Sequence, residues 1–224
     1  MQKILIATTN EGKYCEICEV LNDLPAEFYH LHSGKLNRVL KDENFEEHGE
    51  TFEENATLKA LHYAEISGMP TIGEDSGIIV DALGGQLGVK TRRWGAGEKA
   101  SDKEWIEYFM NVMEGVPDEK RTARFVCCAA FTDSEKFPGE IFLFKGQTEG
   151  VITRTLEAPL RKGIPLSSCF RPIGYNKVYS ALSKKEKNTI SHRGKAFHEL
   201  KNFLEKNYFT SSNEPKNPNR TARN

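Results

Sequence analysis

Ile4-Leu5-Ile6-Ala7-Thr8-Thr9-Asn10-Glu11-Gly12-Lys13 passes from four apolar residues, through a polar turn, toward a helical segment near Lys13 to Asn22. The apolar run reads as a buried strand. A strand feeding a helix through a short polar turn is the opening unit of an α/β or α+β chain. The alternation continues outward. Thr51-Phe52-Glu53-Glu54 has the form of a capping box, with Thr51 as the cap and Glu54 reaching back. From it a helix is expected to about Ser67, ended by Gly68 and Pro70, with Phe52, Ala56, Tyr63 and Ile66 as its apolar stripe. Thr71-Ile72-Gly73 and Ile78-Ile79-Val80 are two apolar segments separated by Glu74-Asp75-Ser76-Gly77. Ser101 to Val116 reads as a second amphipathic helix carrying Trp105, Tyr108, Phe109, Val112 and Met113. Residues 121–131 and 140–153 read as paired strands around Asp133-Ser134. Residues 30–50 read as a polar loop or irregular edge, and 155–180 as irregular. A last helix is expected from Ser191 to about Lys206. Beyond it, Thr210 to Asn224 contains no large aliphatic residue and reads as a disordered tail. The expectation is one domain over residues 1–206 and a polar tail over 207–224.

The chain has 224 residues, enough for one large domain or two small ones. Lys plus Arg number 31 against 32 Asp plus Glu, a balance that excludes a general nucleic-acid binder. No apolar run approaches the roughly 18 residues needed to span a membrane. Met1-Gln2-Lys3 leads straight into the first strand, so no signal peptide is expected and the expected compartment is the cytoplasm. The five cysteines then read as reduced thiols. Cys15-Glu16-Ile17-Cys18 is a CxxC, half a zinc site or a redox pair in form, yet Cys127 and Cys128 are adjacent and supply no second pair.

Thr8-Thr9-Asn10-Glu11-Gly12-Lys13 stands at a helix start, where unpaired N–H groups suit phosphate. Lys13 lies at the positive end of that helix, a placement that makes sense if an anion completes the site. The plain alternative is a βα turn with a solvated lysine. It is no Walker A loop, because the first Gly is absent and Tyr14 stands at the Ser/Thr position. Ser191-His192-Arg193 repeats the pattern, with Ser191 as a cap and two basic residues in the first turn. Lys59, on the apolar side of its helix, either lays its stem over the core or points into a cleft toward an anion. Glu74-Asp75, flanked by apolar strand residues, offers hard oxygen donors for Mg²⁺. Phosphate-binding cations beside a carboxylate metal site describe a Mg²⁺-dependent enzyme acting on a nucleotide-like polyphosphate.

The ordered set Ala7-Thr8-Thr9-Asn10-Glu11-Gly12-Lys13, Glu46-Glu47-His48-Gly49 with Thr51-Phe52-Glu53-Glu54-Asn55-Ala56, Glu74-Asp75-Ser76-Gly77, Gly150-Val151-Ile152-Thr153-Arg154 and Ser191-His192-Arg193 resembles the Ham1-like inosine triphosphate pyrophosphatases. These enzymes act on non-standard purine nucleoside triphosphates, and the resemblance covers about residues 1 to 206. It implies an α/β fold in which a mixed β-sheet with flanking helices is split into two lobes around a central cleft, usually as a homodimer. It implies cleavage of a nucleoside triphosphate to monophosphate and pyrophosphate with Mg²⁺. Thr8, Thr9, Asn10, Glu11, Gly12, Lys13 and Lys59 would hold the triphosphate. Glu47 and Asp75 would bind the metal, with Asp75 also the proton acceptor that activates water. Ser76 would touch phosphate, while Lys187, His192 and Arg193 would address the nucleoside.

Two departures stand out. Thr9 occupies the place of a family Gly. Where the family carries an aromatic-Gly-aromatic-Asp motif that holds the purine, this chain has Ile164-Pro165-Leu166-Ser167, and Phe170 is the ring nearby that could stand in. The alternatives are therefore a member with altered or relaxed base specificity, or a non-catalytic nucleotide-binding protein. A thiol oxidoreductase built on the CxxC would instead lose activity on alkylation and be indifferent to EDTA.

Overall fold

The computed structural model describes residues 1–32, 45–97 and 99–209. Strand β1 (Gln2–Ala7) runs into helix α1 (Glu11–Leu21), and β2 (Ala26–His30) returns beside β1. Helix α2 (Phe52–Ser67) carries the expected capping box at Thr51 and ends at Gly68 in the left-handed conformation. Then follow β3 (Thr71–Val80), α3 (Asp102–Val112), β4 (Thr122–Thr132), β5 (Phe142–Ile152) and the short β6 (Phe170–Pro172). Helices α4 (Lys184–Ile190) and α5 (His192–Phe203) close the chain, followed by a π-helical turn over Leu204–Tyr208. The six strands form one mixed sheet in the order β2-β1-β3-β4-β5-β6. Strand β1 lies parallel to β2 and β3, and the remaining pairs are antiparallel.

Alternation along each strand divides the core. Ile4 and Ile6 pack with Ile17, Leu21, Phe197 and Leu200 under α1 and α5, whereas Leu5 and Ala7 turn to the other face, toward Tyr63 of α2. Likewise Cys127, Ala129 and Phe131 join the first face, and Val126, Cys128 and Ala130 join Phe52, Ala56 and Ala60 of α2. The long strands then carry the sheet into a second core. Ile78 and Val80 from the far end of β3 meet Trp105, Ile106 and Phe109 of α3, together with Phe170 and Tyr179. Residues 74–77 lie where one core gives way to the other, which is how a single strand delivers its polar residues to the cleft between two lobes.

Several expectations need correction. The two apolar segments around Glu74-Asp75-Ser76-Gly77 are one unbroken strand, with Glu74 opposite Ala129 and Asp75 opposite Cys128. Helix α1 starts at Glu11 because Asn10 caps it, and α3 stops at Val112. The end of the chain folds further than Lys206. Tyr208 is buried, its hydroxyl donates to Asp133 at 2.6 Å, and its ring meets Phe131 at 5.1 Å. Residues 33–44 of the expected loop, and 210–224 of the expected tail, lie outside the described residues.

Helix α2 sits on β3 with no space between the backbones. A Cβ built on Gly73 would stand 2.1 Å from the Ala56 carbonyl oxygen and 2.6 Å from the Ala60 nitrogen. Gly73→Ala must push α2 off the sheet, and overpacking of this kind costs roughly 1–3 kcal/mol, occasionally more. Urea unfolding should show a lower midpoint at unchanged slope. An unchanged midpoint would contradict the close packing of α2 on β3.

Candidate active site

A cleft of about 1510 Å³ lies between the two cores. The turn from β1 into α1 lines it, as do Glu47, Lys59, the Asp75–Gly77 stretch of β3, the Ile164–Ser167 segment, Lys187 and the start of α5. Of the residues singled out in the sequence for phosphate, metal and nucleoside, all but Glu74 therefore line one cavity; the Glu74 carboxylate, expected beside Asp75 as a metal donor, is instead buried between Lys13 and Arg193.

One side of the cleft is built on the first helix start. Asn10 caps α1, its Oδ1 accepting the Lys13 N–H at 3.0 Å, and Thr8 Oγ1 accepts the Asn10 N–H at 3.1 Å. Glu11 pairs with Lys162 at 2.7 Å. Lys13 is not left awaiting an anion. Its Nζ reaches Glu74 Oε2 at 2.8 Å. The other oxygen of Glu74 accepts from Arg193, at 3.3 Å from Nε and 3.2 Å from Nη2. Glu74 is 1% exposed. Burial alone would raise it, but the charges of Lys13 and Arg193 outweigh burial and hold its carboxyl well below the usual carboxylate range.

Asp75, the next residue, points to the opposite face of the strand. Its Oδ2 accepts from Asn55 Nδ2 at 3.0 Å, and Asn55 Oδ1 takes the Gly49 N–H at 2.8 Å, so one amide ties the acidic loop to β3. Burial pushes the Asp75 carboxyl up to about 6, with Glu47 and Glu74 adding to the rise and Lys13 and Lys59 opposing it. Lys59 points into the cleft rather than lying over the core. It pairs with Glu47 and donates to the Glu74 carbonyl at 2.9 Å. Arg93 Nη1 donates to the Glu47 carbonyl at 3.1 Å and so holds that loop in place.

At the second helix start, Ser191 caps α5 as expected, accepting the Gly194 N–H at 3.0 Å. Its two basic residues are buried rather than solvated. Arg193 is engaged by Glu74, Glu16 and Ser76, the last at 2.9 Å. Lys187 pairs with Glu16, lies 3.5 Å from Ser167 Oγ, and is lowered by burial against the pull of Glu16. Burial and the neighbouring cations keep His192 well below its usual range, so its imidazole is neutral at pH 7. The ring stacks on Phe125 at 4.6 Å.

Ile164, Pro165, Leu166 and Ser167 line the end of the cleft near Lys187, with Leu166 and Ser167 buried. Aromatic surface is present there, but it comes from elsewhere in the chain: Trp105 on α3, Phe125 on β4, and Tyr179. Phe170 does not replace a lost ring, because it packs behind Phe125 at 4.7 Å, fully buried. Among the described residues the Trp105 indole N–H and His192 Nδ1 are buried without a hydrogen-bond partner.

The sequence reading missed Glu16, Asn55, Arg93 and Trp105. Asn55 at least stood inside a quoted motif. The others are joined to the site by contacts far apart in the chain, which no local pattern announces. The CxxC takes no part in the cleft. Cys15 is exposed, Cys18 is half-buried, and burial pushes the Cys18 thiol up, the reverse of what a reactive thiolate needs.

The Ham1 family model matches residues 4–203. The dITP/XTP pyrophosphatase of Yersinia pestis is 38% identical over 196 residues, 88% of this chain and 94% of that protein. The dITP/XTP pyrophosphatase of Dictyoglomus thermophilum is 38% identical over 202 residues, 90% of this chain and 94% of its own length. The structure of a HAM1 protein from Coxiella burnetii is similar with a TM-score of 0.76 at 32% identity, covering 92% of this chain and 100% of that one. The Staphylococcus aureus Ham1 protein gives 0.73 at 32% identity, covering 92% and 99%.

The two neighbouring carboxylates should titrate in opposite senses in the metal-free protein. The folded value of Asp75 is raised, so the folded state holds an extra proton between about 4 and 6, and the contribution of Asp75 to stability falls as pH rises through that window. The folded value of Glu74 is depressed, so its contribution is fully present above about 4.5 and is lost as pH falls. Carbon NMR of the side-chain carboxyls, with Asp75→Asn for assignment, should place Asp75 near 6 and leave Glu74 ionised at every pH where the fold persists. Coincident titrations near 4 would contradict this electrostatic division.

Proposed function

The chain belongs to the Ham1 family, and on that premise we propose that it hydrolyses non-standard purine nucleoside triphosphates of the dITP and XTP type to the monophosphate and pyrophosphate. It is a hydrolase of the triphosphate anhydride bond. The observation that carries the mechanism is Asp75, a buried carboxylate on a rigid strand in the cleft, oriented by Asn55 Nδ2 at 3.0 Å and lying next to a Glu74 whose charge is already taken by Lys13 and Arg193.

In this mechanism a water oxygen attacks phosphorus at the anhydride linkage between the α and β positions, and Asp75 accepts the water's proton. The bridging P–O bond breaks and its electron pair leaves with pyrophosphate. The triphosphate lies on the α1 start formed by Thr8 to Lys13, where the first-turn N–H groups of Glu11 and Gly12 and the Glu74-paired Lys13 meet it, with Lys59 and Ser76 beside it. Lys187 and the neutral His192 face the nucleoside, and Arg193 acts from beneath by fixing Glu74, Ser76 and Glu16.

Glu47 and Asp75 are the residues that would hold a magnesium ion. They are two hard carboxylates in one cleft, and Glu47 adds to the rise of Asp75, a like-charge conflict that a divalent cation relieves. Such an ion supplies charge neutralisation and orientation of the phosphate oxygens. A homodimer and a cytoplasmic setting belong to the same proposal; no helix among the described residues is long and apolar enough to cross a membrane.

A panel of nucleoside triphosphates with Mg²⁺ should yield pyrophosphate and monophosphate from XTP and dITP. Asp75→Asn should keep the fold and lose at least about 10²-fold in kcat, the usual contribution of a positioned base. A mutant retaining a tenth of the wild-type rate would remove Asp75 from that role. Wild type that binds triphosphates without turnover would support the non-catalytic reading.

The aliphatic Ile164–Leu166 segment favours relaxed base selection as a second reading. Pockets of this kind discriminate by only about 10–200-fold, against 10⁴-fold or more for sites that pair buried polar groups with the base. The kcat/KM ratio of ITP over ATP or GTP should therefore stay below about 10³. A larger ratio would mean that other groups rebuild a polar site.

A further inference from the structure

Helix α3 starts at the edge of the cleft, and its capping box is made without Asp102. Ser101 Oγ accepts the Glu104 N–H at 3.2 Å, and Glu104 Oε2 accepts the Ser101 N–H at 2.7 Å. That capping box leaves the Asp102 carboxylate free to act outside its own helix. It crosses to the 161–167 segment and accepts the Gly163 N–H at 2.6 Å. Its charged neighbours are Arg92, at 4.0 Å, and Lys162, which also feels its charge.

Gly163 is held from its other side as well. Its carbonyl accepts from Asn10 Nδ2 at 3.0 Å, and the same Asn10 side chain caps α1 at the phosphate turn. The residue has φ +76°, and a Cβ there would stand 2.6 Å from Asn10 Oδ1, so both the conformation and the space require glycine. Gly163 is thus gripped between the phosphate turn of one lobe and the first helix of the other. Immediately beyond it comes the tight turn Pro165–Ser168, which brings Ser167 to Lys187. One helical turn from Asp102 on α3 is Trp105, a cleft residue with an unpartnered indole N–H.

We propose that Asp102 is a positioning residue for nucleoside recognition: by holding the Gly163 N–H it fixes Ile164–Ser167 in register with the phosphate turn and with Trp105. The inference rests on the reading of the cleft as a nucleoside triphosphate site. A carboxylate accepting a backbone N–H makes a charge-assisted bond, stronger than a neutral one. Asp102 holds Gly163 from the side away from Asn10 and the phosphate turn, so its removal acts on the share of affinity that the nucleoside adds to the phosphates.

Two variants and two readouts test this. Amide hydrogen exchange on the ligand-free protein should show the amides of Gly163, Ile164, Leu166 and Ser167 in Asp102→Ala exchanging at least about tenfold faster than wild type. Asp102→Asn, which keeps an acceptor oxygen, should stay within about threefold of wild type. In turnover, Asp102→Ala should raise KM for XTP about tenfold while the inhibition constant of inorganic tripolyphosphate, which lacks a nucleoside, stays within about twofold. Asp102→Asn should restore KM. Unchanged exchange at those amides overturns the clamp, as does an equal rise for XTP and tripolyphosphate, or an Asn variant as impaired as the Ala variant. If wild type turns over no triphosphate, the functional reading fails while the exchange experiment still decides the clamp.

Discussion

The carboxylate of Glu74 is the centre around which the cleft is assembled. It is buried inside a strand, and a lone buried charge would cost several kcal/mol. Lys13 from α1 and Arg193 from α5 offset that cost from two sides. Arg193 then needs Glu16 to balance its own charge, and Glu16 also takes Lys187. Five residues from α1, β3, α4 and α5 are locked into one buried network in this way. The two basic helix starts converge because one carboxylate calls for both.

Strand geometry turns this network into a division of labour. Side chains alternate across a strand, so Glu74 and Ser76 face α1 and α5, where Arg193 binds both. Asp75 faces α2, where Asn55 binds it. Adjacent carboxylates thereby meet opposite electrostatics. Glu74 is neutralised by cations and stays ionised, while Asp75 is buried beside Glu47 and is pushed toward neutrality. The first arrangement ties the helices to the strand; the second leaves a carboxylate in the cleft with a raised proton affinity, as the proposed base requires.

Much of this was legible in the residues. The turn after β1, the capping box at Thr51, the paired strands and the cap at Ser191 all follow from local rules, and each stands where its pattern indicated. The polar quartet at 74–77 misled because a charged run inside a strand looks like a break until its partners are known. Those partners lie 61 and 119 residues away. The Ile164–Ser167 end of the cleft was the least legible. Its own segment carries no ring, and the aromatic surface comes from Trp105, Phe125 and Tyr179 on three other parts of the chain. Tertiary contact, not local pattern, decides both places.

The most direct test compares the two neighbouring acids by urea unfolding at pH 7. Glu74→Gln leaves Lys13 and Arg193 buried without their shared counter-charge, and breaking a buried pair from one side costs about 3–5 kcal/mol. The account predicts a loss of that size for Glu74→Gln and a far smaller change for Asp75→Asn. A Glu74→Gln protein as stable as wild type would contradict it.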